Sequence, residues 1–85
     1  MNYTVAWTQR ARTDMLAQLL RAADKQQMLR AGRTVENQLR RDPHDAGEDR
    51  GPGERILFER PLCVFFTIDD DDRTVLIEQV KWVGF

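Results

Sequence analysis

Apolar positions in the last third of the chain fall into three blocks: Ile56-Leu57-Phe58, Leu62 through Ile68, and Val75 through Val80. β-Branched and aromatic residues dominate all three, with Arg60-Pro61 and the aspartates Asp69 to Asp72 between them. The pattern predicts three strands joined by tight turns, at about 55–60, 62–69 and 73–82. At the other end of the chain Tyr3, Val5 and Trp7 alternate with small or polar residues. That period of two predicts a short strand at about 2–7 with one buried face.

Between these strands the period changes. Ala11, Met15, Leu19 and Ala22 recur at spacings of four, four and three, and Leu16, Leu20 and Ala23 widen the stripe into a broad core-facing band. A helix over about 9–23 follows, with Thr8 as its N-cap. Met28, Ala31 or Gly32, Val35 and Leu39 repeat the pattern and predict a second helix over about 25–41, opened by Asp24 with Gln27 as a capping-box pair. Asp42-Pro43 ends it, because the residue before proline avoids helical geometry. Residues 42–54 hold three glycines, two prolines and five acids and read as an irregular loop. The expected core is Leu19, Val35, Leu39, Phe65 and Leu76.

The order of strand, helical hairpin and antiparallel three-strand meander (β-α-α-β-β-β) predicts a two-layer α+β fold over a single domain, 1–85, with both helices on one sheet face. One hairpin brings the chain back to the end of the sheet where the first strand finished, so that strand is expected to pair antiparallel with an edge of the meander. Leu62, Val64, Phe66 and Ile68 alternate with Cys63 and Phe65, so one apolar set must point away from the helices. The expectation is an uncovered patch holding Phe66, Trp82 or Phe85, of the kind that binds a protein partner. A self-dimer through the same face is the competing explanation.

Composition narrows the class without naming a function. The chain has 85 residues, 41% hydrophobic and 32% charged, which suits a small soluble domain near the size where one core is just sufficient. Its single cysteine, Cys63, lies inside an apolar run and reads as a buried, reduced thiol. With no apolar leader and no run long enough to span a bilayer, the sequence predicts a cytoplasmic protein without a membrane segment. The net charge of -1 hides an asymmetry. Residues 1–41 hold eight Lys/Arg against three acids, a net of +5, and residues 42–85 hold five against eleven, a net of −6. A basic first half suits phosphate or an acidic partner, and equally a solvated pair of helix faces.

There is no glycine-rich phosphate loop before a helix, no Cys/His metal spacing and no nucleophile with a matching triad. No cofactor or metal is expected. The four aspartates are adjacent residues of a turn, and His44 is a loop histidine. What remains is a set of cations and carboxylates around the strands: Arg50, Arg55, Arg60 and Lys81 with Glu48, Glu54 and Glu59. Together they could clamp a phosphate and move a proton, although surface ion pairing explains them as well. Trp82 and Phe85 are candidates for stacking on a base.

Tyr3-Thr4-Val5-Ala6-Trp7-Thr8, the helix end from Leu39 to Pro43 and the meander with Val64-Phe65-Phe66-Thr67-Ile68-Asp69 together resemble toxins of the RelE/ParE superfamily, the toxic halves of type II toxin–antitoxin pairs. Gly47-Glu48-Asp49-Arg50, Arg55-Ile56-Leu57-Phe58 and Pro61-Leu62 are similar to a subgroup of small bacterial members. The resemblance implies a RelE-like fold with the last strand between the first strand and the rest of the meander, and a cognate antitoxin as partner. It also implies one of three activities: ribosome-dependent cleavage of mRNA without metal, action on DNA gyrase, or partner binding without toxicity. In the nuclease case the candidate catalytic set read from the residues is Arg55, Arg60, Lys81, Glu48 and Glu59, with Arg50, Trp82 and Arg33 contacting RNA and Phe66, Trp82 and Phe85 contacting the partner. The usual catalytic arginine at the start of the middle meander strand aligns with Leu62, which favours the two non-nucleolytic activities.

Overall fold

A computed structural model describes residues 2–84. The chain runs β1 (Thr4–Trp7), α1 (Gln9–Arg21), α2 (Lys25–Arg41), α3 (Pro43–Ala46), β2 (Glu48–Asp49), β3 (Arg55–Glu59), β4 (Leu62–Asp69) and β5 (Thr74–Trp82). The five strands form one sheet in the order β1-β5-β4-β3-β2, and α1 and α2 pack on one of its faces. Both expected caps are present. The Ala11 amide donates to Thr8 Oγ1 at 3.0 Å and the Gln27 amide to Asp24 Oδ1 at 3.0 Å, satisfying amides that the first helical turn leaves without partners.

β1 pairs with β5 in parallel, Thr4 opposite Thr74 through Trp7 opposite Ile77, which corrects the antiparallel expectation. The reason is the direction of α1. The Thr8 amide donates to the Ile77 carbonyl at 2.9 Å, its hydroxyl to the Glu78 carbonyl at 3.2 Å, and Asp14 Oδ2 accepts from the Val80 amide at 3.0 Å. The first helix therefore continues along β5 in the sense of β1. Only α2 turns back, and it travels the full length of the sheet, so that the Tyr3 amide donates to the Arg40 carbonyl at 2.7 Å. The meander then starts where β1 starts, and its third strand runs parallel to β1.

The helix-facing core contains Ala11, Met28, Val35, Leu39, Leu57, Leu62, Val64, Phe66, Val75, Ile77 and Val80. Of the expected core residues, Val35 and Leu39 are fully buried and Leu19 packs against the cluster half-buried. Phe65 and Leu76 lie on the opposite sheet face, half-buried. A β-bulge explains how both faces are served. Phe66 is opposite Ile77 and Phe65 opposite Gln79, so Glu78 is an extra residue on β5. The insertion shifts the phase of the strand: Val75 and Ile77 face the helices before it, and Val80 after it.

Two parts of the sequence reading are corrected. Leu16 and Leu20, assigned to the core-facing band of the first helix, are 57% and 71% exposed, and Ala23 is exposed as well. α1 packs chiefly on β5, with smaller contacts to β1 and α2, and its narrower Ala11-Met15-Leu19 stripe is enough to close them. Residues 42–54 also hold more order than their composition suggests. Pro43 sits at the first position of α3, where its missing N–H costs nothing, and the open edge of β3 recruits Glu48 and Asp49 as β2.

Burial separates the leucines by consequence. Leu39→Ala should lower stability by about 2–5 kcal/mol, the cost of a core cavity, whereas Leu20→Ala should change it by less than about 0.5 kcal/mol. Urea denaturation of the two variants checks the difference.

Candidate functional site

The sheet face away from α1 and α2 carries a coherent set of side chains, ordered by strand register. Glu48, Ile56, Phe65 and Gln79 form one row across β2, β3, β4 and β5, and Phe58, Cys63 and Lys81 form the next. The bulge sets this arrangement, because without the extra residue Gln79 and Lys81 would point into the core. Lys81 is exposed, with its Nζ 5.5 Å from the centre of the Phe65 ring, a geometry in which the ring face attracts the cation. Phe58 beside it is 49% exposed. Arg50 Nη2 donates to Glu48 Oε2 at 3.1 Å.

Cys63 lies buried in the middle of this face. Burial pushes its thiol above the ordinary range, while the charges of Lys81 and then Arg50 act in the opposite direction. Both cations are therefore within electrostatic reach of one point of the open face. A cleft of about 370 Å³ opens next to it, lined by Thr8, Arg10, Glu54, Phe65, Thr67, Glu78 and Gln79. Cations, carboxylates and an aromatic surface around an open groove can hold a phosphate-bearing chain and position a proton donor or acceptor against it.

The structure brings Lys81, Arg50 and Glu48 to this face and leaves other expected site residues elsewhere. Arg55 shares the register row of Phe66 on the helix side, where its Nη2 donates to the carbonyls of His44 at 2.6 Å and Gly47 at 3.1 Å. It braces the end of α3. Glu59 is in the row of Leu62, also on the helix side, and Arg60 is exposed in the turn that follows. Arg33 is exposed on α2. Phe66 is fully buried among the helix-facing core residues, so it belongs to no exposed patch, and Phe85 lies outside the described residues.

Trp82 is 56% exposed at the rim of a second cleft, about 660 Å³, between the tip of the helical hairpin and the β3–β4 turn. Met28, Ala22, Gln18 and Pro61 line it. On the outer side of the hairpin, Leu16, Leu20 and Leu29 are exposed. Gly32 approaches the Met15 side chain across the helix interface. Sequence reasoning missed this surface because a leucine spacing reads the same on a covered and an uncovered side of a helix. Among the described residues no helix is long and apolar enough to cross a membrane.

No family model and no curated protein sequence matches the chain. Solved structures do. A chain of the RelBE2 toxin–antitoxin complex from Mycobacterium tuberculosis superimposes with a TM-score of 0.82 at 22% identity, covering 96% of this chain and 99% of that one. The chromosomal ParDE toxin–antitoxin system of P. aeruginosa provides a match with a TM-score of 0.63 at 22% identity, over 96% and 97% of the two chains. The isolated E. coli RelE toxin matches with a TM-score of 0.69 at 15% identity, over 98% and 86%. The chain shares the fold of these RelBE2, ParDE and RelE structures over nearly its whole length.

The placement of Arg55 has a measurable consequence. Arg55→Ala should destabilise the protein by about 1–3 kcal/mol, because the carbonyls of His44 and Gly47 lose their donor. Thermal unfolding checks this, and a catalytic side chain without a structural role would leave the midpoint unchanged.

Proposed function

We propose that this chain is the toxin component of a type II toxin–antitoxin pair, held inactive by a cognate antitoxin. The observation that carries the reading is the whole-length fold match to a chain of a toxin–antitoxin complex, joined to apolar side chains left exposed on the helical hairpin. Leu16, Leu20 and Leu29 are surrounded in sequence by the exposed cations Arg12, Arg21, Lys25, Arg30 and Arg33. Such a surface suits an amphipathic helix with an acidic rim. A second copy of the same cationic face would meet like charge. The cleft beside Trp82 offers the same partner an apolar anchor point at the hairpin tip.

The open sheet face is the surface for the target. In the nucleolytic reading, Lys81 and Arg50 hold the phosphate of an mRNA on the ribosome and Phe65 and Phe58 stack against its bases. Glu48 takes the proton of the RNA's own 2′-hydroxyl as that oxygen bonds to the adjacent phosphorus, and the P–O5′ bond breaks, the departing 5′-oxygen taking a proton from water and leaving a 2′,3′-cyclic phosphate. No metal enters that chemistry. The second reading is a gyrase-directed or non-toxic binding protein. It is favoured by Leu62, which is fully buried where the resemblance implies a catalytic arginine, and by Arg55, which is occupied with the carbonyls of α3.

Induced expression of the chain should arrest growth, and co-expression of the adjacent gene's product should restore it. Absence of arrest would leave only the non-toxic binding reading. In arrested cells, new mRNA ends mapped at codon positions support cleavage. Inhibited DNA supercoiling with intact mRNA supports the gyrase reading. If cleavage is seen, the Lys81→Ala/Arg50→Ala double variant should reduce it by about 100-fold or more with the unfolding midpoint within a few degrees of the parent. Leu16→Asp/Leu20→Asp should weaken antitoxin binding by about 10–100-fold while leaving the fold intact, measured by titration calorimetry.

A further inference from the structure

A cluster beside the turn between β4 and β5 joins three segments that are far apart in sequence. Tyr3 Oη donates to Asp70 Oδ1 at 2.7 Å, and His44 Nε2 meets the same oxygen at 2.8 Å. The Tyr3 and His44 rings stand edge to face, with centroids 6.3 Å apart. The Arg73 guanidinium covers the Tyr3 ring at 4.9 Å. Tyr3 is the fixed post of the cluster: it is buried in the core, and its amide is bonded to the Arg40 carbonyl. His44 is its free end, half-exposed on a helix of a single turn.

α3 is also anchored by Pro43, which is fully buried, and by Ala46, which packs against the core. Arg55 bonds the carbonyls of His44 and Gly47, and Gly47 itself can carry no side chain, because a Cβ there would come within 2.6 Å of the Phe66 ring. From Gly47 the backbone enters β2, which pairs with β3 through two residues and presents Glu48 and then Arg50. The direction in which α3 leaves its contacts therefore acts together with the β2–β3 pairing on where that ion pair stands.

We infer that Asp70 is a positioning residue, a latch that holds α3 through His44 and Tyr3 and thereby places Glu48 and Arg50 on the open face. The latch is independent of which target that face meets. It also responds to acid. The groups around the Asp70 carboxyl are His44 from α3, Tyr3 ahead of β1, and Asp69, Asp71, Asp72 and Arg73 from its own turn. The hydrogen bond from His44 first, and then that from Tyr3, hold the carboxyl below its ordinary value of 3.8. A carboxyl depressed in the folded state contributes above the ordinary carboxylate range, and the contribution is lost as pH falls through the depressed value. The latch therefore weakens as pH falls through the depressed value.

Amide hydrogen exchange on the full chain tests the latch. The Ala46 amide donates to Asp42 and the Arg50 amide to Glu54, so both report on the latched segment. Asp70→Asn should speed exchange at these two amides by about tenfold or more, while the β4–β5 ladder stays protected. His44→Ala should reproduce the effect, and His44→Gln, which keeps an N–H donor, should recover most of the protection. Asp71→Asn removes the same charge from the same turn and should change neither amide. Unaltered exchange at Ala46 and Arg50 in Asp70→Asn and His44→Ala would overturn the inference. So would equal loosening by Asp71→Asn, or a uniform loss of protection that includes the β4–β5 ladder.

Discussion

One inserted residue decides how this sheet presents itself. Glu78 has no partner on β4, and the half-turn of phase that it adds lets β5 bury Val75 and Ile77 before it and Val80 after it. A strand nine residues long that packs against helices along its length would otherwise have to bury Gln79 and Lys81. Burying an amide and an ammonium without partners would cost several kcal/mol. The bulge also leaves backbone groups that the ladder does not use, and α1 takes them up: Thr8 bonds the Glu78 carbonyl and Asp14 the Val80 amide. The same irregularity that sorts the two faces docks the first helix.

That docking governs the topology. Because α1 continues along β5 instead of reversing, β1 and β5 run in parallel inside an otherwise antiparallel sheet, and α2 must span the whole length to return the chain. α1 lies mainly over β5, and its far side stays in water with Leu16 and Leu20 on it. The protein thus carries two unlike surfaces. One is an apolar and cationic helical hairpin suited to a protein partner. The other is an open sheet face with Lys81, Arg50, Glu48 and two phenylalanines. The sheet lies between them, so a body seated on the hairpin would not by itself cover the open face.

The candidate site was legible in part. Lys81, Glu48 and Arg50 could be chosen from the sequence because cations and carboxylates near strand ends are few. Their common face depends on register, which the sequence states only through the broken alternation Val75, Ile77, Val80; a strict period of two hides that signal. Arg55 looked like its neighbours in composition, but its guanidinium is engaged with two carbonyls that come close only when α3 folds over β3. Asp70 was one aspartate among four in a turn, and nothing local distinguishes it. Its partners Tyr3 and His44 lie 67 and 26 residues away.

What the sequence by itself determined was six of the elements: one strand, two capped helices and three strands, with ends good to a residue or two, while α3 and β2 formed within a segment that reads as loop. Local chemistry suffices for that, since hydrophobic period, caps and turn residues act within a few positions of one another. The tertiary structure alone decided which way α1 runs, which apolar face of β4 meets the helices, and which of several equivalent leucines, arginines and aspartates are buried, braced or free. Those outcomes depend on contacts between residues tens of positions apart. Their energies come from burying one shared core, and no segment carries that information alone.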